Sequence, residues 1–462
     1  MSAVIEHVAT DSRALALVTA ASGERIFAWH GDHAVSVDEF LADIARVAAM
    51  LPDACAAINL CEDRYAFLVA FCAVACRGQT NLLPPSRAAQ AVDEAFAAYP
   101  GSYPLSDAVL TPTPDRFVQL PALGHISHRA PAAHAAATTL IDAEHVVAIG
   151  FTSGSTGQPK SNPKTWRALH ASNARNVAAL VDVLGLAPDR LAHIVATVPP
   201  QHMYGVEMSI LLPLLGPFSV HSGRPLFPAD VAAALAQVPE PRVLVTTPIH
   251  LRALLRDPNP LPQLGAITSA TAPLSRELAV AAEARYGAPV LEFFGSTETC
   301  VIAQRQTARA QEWRLYADVA MHPQPDGTMV DAPYFSRPVT LPDVVELLPN
   351  RCFRLRGRHA DSVEIAGKRA SLADLTHRVL ALRGVHDAVV LQLDEPDNMG
   401  VCRIAALVVA PERSEAELLN ELRSAMDPAF LPRPLRKVCS LPRNETGKLP
   451  RAALLAALHD PR

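Results

Sequence analysis

The sequence predicts an α/β protein with a large N-terminal domain and a small α+β C-terminal domain. The chain has 462 residues, half of them apolar, which is enough for two or three domains with sizeable cores. Residues 56–83 alternate strand, helix and strand, which is typical of parallel sheets covered by helices. Residues 372–426 alternate short helices and strands, which suits a compact domain of about 100 residues.

The first predicted elements are bounded by turn residues. They are a helix over 37–51, a strand over 56–60, a helix over 64–76 and a strand over 80–83. Gly78 ends the second helix and Pro84 closes the second strand. Further on, a strand over 146–151 leads into a loop, and a helix is expected over 165–184.

Composition excludes several classes of protein. The net charge of -5 carries no basic bias, so we expect no nucleic-acid partner. The acidic N-terminus lacks a long apolar region and does not read as a signal peptide. The longest apolar run, residues 66–76, has 11 residues, whereas a membrane span needs about 20. The eight cysteines show no zinc spacing and indicate reduced thiols of a cytoplasmic protein.

A loop over residues 151–161, here called the hydroxyl loop, reads Phe-Thr-Ser-Gly-Ser-Thr-Gly-Gln-Pro-Lys-Ser. Glycines let backbone N–H groups turn onto an anion, hydroxyls add neutral donors and the lysine adds charge, so a polyphosphate cradle is predicted. The Walker order of glycine, lysine and serine is absent. The alternative is an ordinary solvated turn. The candidate residues are Thr152, Ser153, Gly154, Ser155, Thr156, Gly157 and Lys160.

The hydroxyl loop closely resembles the phosphate-binding signature of adenylate-forming enzymes, the superfamily of acyl-CoA synthetases, luciferases and peptide-synthetase adenylation domains. Residues 291–299 resemble its aromatic-G-x-T-E motif, and residues 441–451 its terminal R-x-x-x-G-K signature. The resemblance implies a large domain of stacked mixed sheets and helices over residues 1–357. It also implies a small mobile α+β domain over residues 358–462.

The resemblance assigns roles to the two later motifs. Phe294 would offer a flat face to adenine, and Gly295 would let the nucleotide approach the backbone. Thr297 would donate to the α-phosphate, and Glu298 would bind Mg²⁺ as a hard oxygen ligand. Lys448 would neutralise the carboxylate and the α-phosphate during adenylation. The alternative for residues 291–299 is an ordinary strand end with an exposed glutamate. The alternative for Lys448 is a surface lysine in a turn.

The resemblance implies two further contacts with the nucleotide, although the residues around them depart from the family pattern. Asp343 matches the aspartate that accepts the ribose hydroxyls, but Leu341 and Pro342 replace the usual threonine and glycine. Arg358 would contact ribose or phosphate. Ala360 stands where the family has the aspartate or lysine of the hinge. The alternative for Asp343 is a simple turn residue.

The acid pocket is predicted from two segments that follow strands. His202 matches a pocket-lining position and is also a candidate catalytic residue, the alternative being a capping or buried histidine. Ala270 and Thr271 replace both glycines of the family's S-G-G-A-P-L turn, which touches the acid and adenine. Added side-chain volume predicts a compact acid such as a single aromatic ring, unless a backbone shift absorbs it. The predicted lining is His202, Met203, Gly205, Ser269, Ala270, Phe293 and Gly295, with Thr271 near the adenine.

The resemblance implies a two-step reaction with ATP and Mg²⁺. A small carboxylic acid becomes an acyl-adenylate, and a thiol then takes the acyl group. Residues 368–372 also resemble short ligases of aryl-polyene and xanthomonadin pigment pathways, which load hydroxybenzoate-like acids onto a separate acyl carrier protein. Lys368 and Arg369 would lie near that thiol or on a solvated hairpin edge. The alternatives are a CoA ligase and a catalytically degraded homologue that only binds nucleotide or carrier protein.

Overall fold

The structure is a computed structural model of the chain. It describes residues 13–19, 22–111, 113–124, 139–153, 159–324, 327–358, 362–365, 368–396, 402–444 and 447–459. The chain divides into two compact units, Met1–Ala310 and Gln311–Arg462. The expected boundary between residues 357 and 358 falls inside the second unit, and the hinge there remains a prediction.

The first unit is built from alternating strands and helices. Its strands are β1 (Ala14–Ala16), β2 (Ile26–His30), β3 (His33–Ser36), β4 (Ala56–Asn59), β5 (Thr80–Leu83), β6 (Tyr103–Ser106), β7 (Val118–Gln119), β8 (Leu140–Asp142), β9 (Val146–Ser153), β10 (Pro159–Thr165), β11 (Ala192–Ala196), β12 (Phe218–His221), β13 (Arg242–Thr246), β14 (Ala266–Ser269), β15 (Val290–Ser296) and β16 (Cys300–Arg305). Its helices are α1 (Val37–Ala48), α2 (Arg64–Cys76), α3 (Ala89–Ala98), α4 (Trp166–Leu184), α5 (Met203–Gly205), α6 (Leu212–Leu215), α7 (Pro228–Ala236), α8 (Pro248–Arg256) and α9 (Arg276–Tyr286). A π-helical turn, Val206–Leu211, joins α5 to α6.

Two large sheets form the first unit. One has the order β10-β9-β5-β4-β6-β7, parallel except where β10 returns antiparallel to β9. In the other, the strands of this unit follow the order β16-β15-β14-β13-β11-β12-β2-β3. The pairs from β15 to β2 are parallel, whereas β16 and β3 are antiparallel to their neighbours. Long parallel runs require helical crossovers, which α7, α8 and α9 supply.

Helix α2 explains the long apolar run. Asp63 caps it by accepting the N–H of Ala66 at 2.9 Å, and every residue from Arg64 to Ala75 is buried. It packs on β4 and β5 of one sheet and on β12 of the other. A helix that is apolar on all sides belongs in a core, and this one lies between two sheets. No helix in the described part of the chain is long and apolar enough to cross a membrane.

Within its described residues, the second unit contains one run of three paired strands and three small sheets. Its strands are β17 (Trp313–Leu315), β18 (Ala320–Gln324), β19 (Gly327–Asp331), β20 (Val339–Leu341), β21 (Asp343–Leu348), β22 (Cys352–Arg358), β23 (Ser362–Ile365), β24 (Lys368–Ser371), β25 (Asp387–Pro396), β26 (Cys402–Val409) and β27 (Leu435–Lys437). Its helices are α10 (Leu372–Leu380), α11 (Glu415–Ala425) and α12 (Arg451–His459). The strand orders are β21-β22-β17, β18-β19-β20, β23-β24 and β25-β26-β27.

Strand β26 separates two apolar cores of the second unit. Ala406 and Val408 belong to the core that includes residues of α10 and α11. Ala405 and Leu407, on the alternate positions, pack with Leu454 and other residues of α12. Because side chains of a strand alternate between faces, one strand contributes to both cores.

The predicted fold class is confirmed, as are most predicted elements. The strand over 80–83 has the predicted bounds, and so does the helix over 64–76. Strand β10, which contains the last residues of the hydroxyl loop and leads to α4, was not predicted from the sequence. The sequence analysis also left residues 100–140 and 305–335 without elements, although they contain β6, β7 and the strands β17 to β19.

Candidate active site

Several predicted site residues of the first unit lie at the ends of parallel strands. Strands β11, β13, β14 and β15 end at Ala196, Thr246, Ser269 and Ser296. Ser269 lies opposite Thr246 and Glu292 in the ladder. Carboxyl ends of parallel strands share one edge of the sheet, where ligands of open α/β sheets bind.

The two ends of the hydroxyl loop lie on paired antiparallel strands. Strand β9 ends at Ser153 and β10 begins at Pro159, with Thr152 opposite Lys160 in the antiparallel ladder. Lys160 is exposed. The side chains of Thr152 and Ser153 lie outside the described part of the structure. The same holds for the whole of Gly154, Ser155, Thr156 and Gly157, so the phosphate role of this loop remains a prediction.

Three predicted segments come together behind these two strands. A β-carbon on Gly150 of β9 would lie 2.8 Å from Cγ2 of Thr297 and 3.5 Å from Cε of Met203. The sulfur of Met203 is 3.9 Å from that of Cys300. The strand leading to the hydroxyl loop therefore contacts both the segment after His202 and the glutamate motif. Sequence analysis missed Gly150, although a glycine inside a strand often marks a close backbone approach.

Residues 295–300, here called the 295–300 turn, carry the glutamate motif. A β-carbon on Gly295 would lie 2.1 Å from the carbonyl oxygen of Cys300, so a side chain cannot fit without a backbone shift. Ser296 and Thr299 exchange bonds, with the N–H of Ser296 donating to Oγ1 of Thr299 at 3.1 Å and the N–H of Thr299 donating to Oγ of Ser296 at 3.2 Å. Thr299 is buried, whereas Phe294, Thr297 and Glu298 are half-buried and Gly295 is exposed.

The predicted acid-pocket residues are mostly buried. A β-carbon on Gly205 would lie 1.9 Å from the carbonyl oxygen of Pro199, which fixes glycine at this position. Tyr204, which the sequence analysis did not select, joins this segment to β14 through a 2.8 Å bond between its hydroxyl and that of Thr268. His202 is half-buried, whereas Met203, Gly205, Ser269, Ala270 and Phe293 are buried.

Two residues of the site adopt left-handed backbone conformations although they are not glycine. Thr271 has φ +77° and is exposed, and Cys300 has φ +59° and is buried. Positive φ is uncommon for residues other than glycine, most of all for a β-branched side chain. Such backbone conformations cluster at functional sites.

Two buried charged residues that the sequence analysis missed hold the 295–300 turn. Nζ of Lys164 donates to the carbonyl oxygen of Glu298 at 2.6 Å. Glu207, which is 1% exposed, accepts the N–H of Val301 at 2.9 Å. Burial raises the pKa of Glu207 to about 7, and the hydrogen bonds and the charge of Lys164 oppose this rise. A single carboxylate inside the apolar run over 203–215 was the available signal.

The second unit holds two residues that the resemblance assigns to ribose and phosphate. Asp343 and Arg358 lie opposite each other in the antiparallel ladder of β21 and β22. Asp343 is half-buried, and its carbonyl oxygen accepts the hydroxyl of Thr328 at 2.7 Å. The side chain of Arg358 and residues 359–361, including Ala360, lie outside the described residues.

Lys448 is exposed on a turn that other residues fix. The N–H of Lys448 donates to Oδ1 of Asn444 at 2.9 Å, and its carbonyl oxygen accepts the N–H of Asn444 at 2.8 Å. Arg443 donates to the carbonyl oxygen of Gly447 at 2.9 Å and forms an ion pair with Asp387 at 2.9 Å. These hydrogen bonds hold the main chain at Lys448. The catalytic role of Lys448 remains a prediction.

The residues present fit a magnesium nucleotide. No group of three or more histidine, cysteine, aspartate or glutamate residues forms a metal site within the described residues. Mg²⁺ in nucleotide enzymes takes one or two carboxylates and fills its other positions with phosphates and water. The half-buried carboxylate of Glu298, next to the hydroxyl of Thr297, matches that donor set.

A hollow of about 420 Å³ lies elsewhere on the first unit. It is lined by residues at the end of α2 and just after it and by residues of β8 and the turn after it, among them Cys76, Gly78, Asp142 and His145. None of the predicted site residues lines it, so we assign no part of the predicted chemistry to this hollow.

Comparison with known proteins identifies the family. The model of the family described as AMP-binding enzyme matches residues 45–329. A 4-coumarate–CoA ligase of Rhodobacter capsulatus is 28% identical over 309 residues, which are 66% of this chain and 75% of that protein. A sulfoacetate–CoA ligase of Cupriavidus necator is 28% identical over 391 residues, which are 75% of this chain and 73% of that protein.

Solved structures of similar fold cover nearly the whole chain. ATP-bound MatB from Rhodopseudomonas palustris has a TM-score of 0.79 at 20% identity and covers 96% of this chain and 97% of its own. The o-succinylbenzoate CoA synthetase of Bacillus subtilis, in complex with its acyl-adenylate intermediate, has a TM-score of 0.77 at 18% identity, with 96% of each chain covered.

These matches confirm the predicted class of enzyme and its need for ATP with Mg²⁺. The family model covers more than half of the chain, and the motifs that resemble the family follow its order. The chain belongs to the AMP-binding enzyme family, as an ATP-dependent ligase that forms acyl-adenylates.

Proposed function

We propose that the protein activates a compact aromatic acid, such as a hydroxybenzoate, and loads it onto the phosphopantetheine thiol of a separate acyl carrier protein. The reaction would take place in the cytoplasm, which supplies ATP. In the first step a carboxylate oxygen bonds to the α-phosphorus and pyrophosphate leaves. In the second step the thiol sulfur bonds to the carbonyl carbon, AMP leaves and the thiol loses its proton.

The chain's residues act on the electrostatic barrier of the first step. Two anions must meet, so charge neutralisation lowers the barrier. ATP with Mg²⁺ supplies the phosphate that is attacked and the pyrophosphate that leaves. In this proposal Thr297 donates to the α-phosphate, Glu298 holds the metal ion and Lys448 offsets the charge of the acid. The hydroxyl loop holds the remaining phosphates.

The observation that carries the choice of acid is a pair of buried polar side chains with unused hydrogen-bonding atoms. Gln201 is 6% exposed, and neither atom of its amide has a hydrogen-bond partner within the described part of the chain. The hydroxyl of Ser269, which is fully buried, also has none there. Buried polar groups are nearly always satisfied, so such atoms call for a ligand or water. In this proposal a ring hydroxyl of the acid is a hydrogen-bond partner of these groups.

The neighbouring residues favour a small acid. Ala270 is buried directly after Ser269, and Phe293 of the adjacent strand is 3% exposed. Both side chains take up volume near the predicted pocket, and a close-packed wall leaves little room for a long chain. The relative named as a 4-coumarate–CoA ligase acts on an aromatic acid, which adds support for an aromatic substrate here.

The acceptor thiol has two candidates. The carrier protein is favoured by residues 368–372, which resemble those of short pigment-pathway ligases. Free CoA is favoured by the relatives, two of which are named as CoA ligases. The basic residues Lys368 and Arg369 at the start of β24 suit either acceptor, because both carry phosphate groups.

Pyrophosphate release tests the choice of acid. The protein is incubated with ATP, Mg²⁺ and single acids, namely benzoates, hydroxybenzoates, cinnamates and fatty acids of increasing length. We expect release with hydroxybenzoates and little with long chains. A clear preference for fatty acids would overturn the compact-acid proposal. Repeating the assay with CoA and with phosphopantetheinylated carrier protein, and measuring thioester, identifies the acceptor.

Variants test the role of the two polar side chains. Ser269→Ala and Gln201→Leu are each expected to reduce kcat/KM for hydroxybenzoate by about tenfold, because a good hydrogen bond to substrate is worth about 1–2 kcal/mol. The kcat/KM for benzoate, which lacks the hydroxyl, should change little. Ser102→Ala is the matched control, since that hydroxyl is also buried without a partner in the described chain but lies before β6. Equal losses of kcat/KM for both acids would contradict the proposed hydrogen bond to the ring hydroxyl.

A further inference from the structure

The 295–300 turn is attached to the first unit through its main chain at two points. At residue 298 the carbonyl oxygen accepts from Nζ of Lys164, at 2.6 Å. Just beyond the turn, the N–H of Val301 donates to both carboxylate oxygens of Glu207, at 2.9 Å and 3.1 Å. The turn is therefore held at Glu298 and three residues beyond it by side chains of opposite charge.

The lysine comes from the strand that returns from the hydroxyl loop. Lys164 lies on β10, four residues beyond Lys160, and is 6% exposed. A lysine is almost never this deeply buried unless it is paired. Because β10 pairs with β9, Lys164 links the hairpin of the hydroxyl loop to the main chain of the glutamate motif.

The glutamate comes from the segment that follows the predicted acid pocket. Glu207 lies on the π-helical turn Val206–Leu211, an irregularity often found at functional sites. Besides Val301, it accepts from Oγ of Ser172 at 3.1 Å and from Nδ2 of Asn176 at 3.2 Å. Both of these donors are on α4, so Glu207 joins three elements at one carboxylate.

The two anchors reach the turn through its main chain. Lys164 donates to the carbonyl oxygen of residue 298, and Glu207 accepts the N–H of Val301. Between the anchors, Cys300 adopts a left-handed backbone, with φ +59°. That backbone conformation is unfavourable for a residue other than glycine and persists where neighbours enforce it.

We propose that Lys164 and Glu207 are positioning residues of the adenylation step. By fixing the main chain of the 295–300 turn, they set the position and orientation of the Thr297 and Glu298 side chains relative to the magnesium nucleotide. This inference rests on the role proposed for Glu298 as the metal ligand. Displacing a metal ligand by a fraction of an ångström lowers the affinity for the ion and the rate, whereas every predicted acid-pocket residue except Gly295 lies outside the 295–300 turn.

Three variants and one control test the inference. Lys164→Met and Glu207→Gln each remove one charge with little change of volume. The double variant removes both charges and leaves no unpaired buried charge, so it separates positioning from simple destabilisation. Asp43→Asn is the control, because Asp43 is also a buried carboxylate, 1% exposed, that accepts a main-chain N–H, from Gly124 at 3.0 Å.

The readouts are ATP–pyrophosphate exchange as a function of Mg²⁺ and of the acid, and calorimetric binding of a non-hydrolysable ATP analogue with Mg²⁺. In all three variants we expect kcat to fall at least tenfold and half-saturating Mg²⁺ to rise at least threefold. The KM of the acid should stay within twofold. Asp43→Asn should change none of these. A folded double variant with wild-type kcat and Mg²⁺ dependence would overturn the inference.

The calorimetric arm keeps the inference separate from the proposed function. If the wild type exchanges no pyrophosphate with any acid, the proposed substrate class fails, and the inference is then judged on nucleotide binding alone. Weaker binding of the magnesium nucleotide, by at least threefold in the variants but not in Asp43→Asn, supports it. Unchanged binding in the variants overturns it.

Discussion

The ionisation of Glu207 gives a prediction about stability that can be worked out from the structure. Burial raises the pKa of this carboxyl from its ordinary 4.5 to about 7, and donors on Val301, Ser172 and Asn176 and the charge of Lys164 only partly compensate. The folded protein therefore binds this proton more tightly than the unfolded chain does. Stability from this proton is fully present below about pH 4.5 and is lost as the pH rises through about 7.

The size of the effect follows from that difference in pKa. Each unit of pKa corresponds to about 1.4 kcal/mol. The rise from 4.5 to about 7 therefore means a loss of about 3 kcal/mol between acidic and mildly alkaline solution. The variant Glu207→Gln keeps a similar shape but cannot ionise, so it should not show this loss.

The measurement is the difference between wild type and Glu207→Gln in the free energy of unfolding, from urea titrations between about pH 5 and about pH 8. Other titrating groups are common to both proteins and cancel. We expect the wild type to lose about 2.5 kcal/mol relative to the variant over this range, because part of the total loss has already occurred at about pH 5. In a Lys164→Met background the transition should move to higher pH, because a compensating positive charge is gone. A difference that stays constant with pH would refute the reasoning.

Three other substitutions probe the site and its support. Lys448→Ala should abolish pyrophosphate release from acid and ATP while supplied acyl-adenylate still reacts with the thiol; loss of both half-reactions, or of neither, would contradict the role given to this lysine. Gly295→Ala should lower the melting temperature and the rate, because its β-carbon would lie 2.1 Å from the carbonyl oxygen of Cys300, and unchanged thermal unfolding would contradict this. Arg64→Met should destabilise the first unit by about 2–3 kcal/mol in urea unfolding, because Arg64 is fully buried and donates to the carbonyl oxygen of Ala196 at 2.9 Å. A loss of stability below about 0.5 kcal/mol would contradict the structural role given to Arg64.

The sequence by itself determined the elements whose signals are local. Helix α2 was predictable to the residue because an unbroken apolar run lies between the cap Asp63 and Gly78. The strands that end near the site are short apolar runs followed by turn residues. The hydroxyl loop and the 295–300 turn were recognisable because each motif is contiguous in the chain. The fold class and the family followed from these local signals.

Other elements carried no such signal. Strand β10 reads Pro-Lys-Ser-Asn-Pro-Lys-Thr, a composition with low strand propensity, and it forms because β9 offers it a ladder. Strand β6 contains Pro104 and pairs with β4. Pairing with a neighbouring strand outweighed local preference in both cases.

Only the tertiary structure decided what surrounds the motifs. The contact of Gly150 with Thr297 and the bond from Glu207 to Val301 join residues about a hundred or more positions apart. Lys164 gave no local hint that it would be buried against Glu298. A residue's own neighbours in sequence set its backbone preference, whereas its burial and its partners depend on which strands pair, and that is a property of the whole chain.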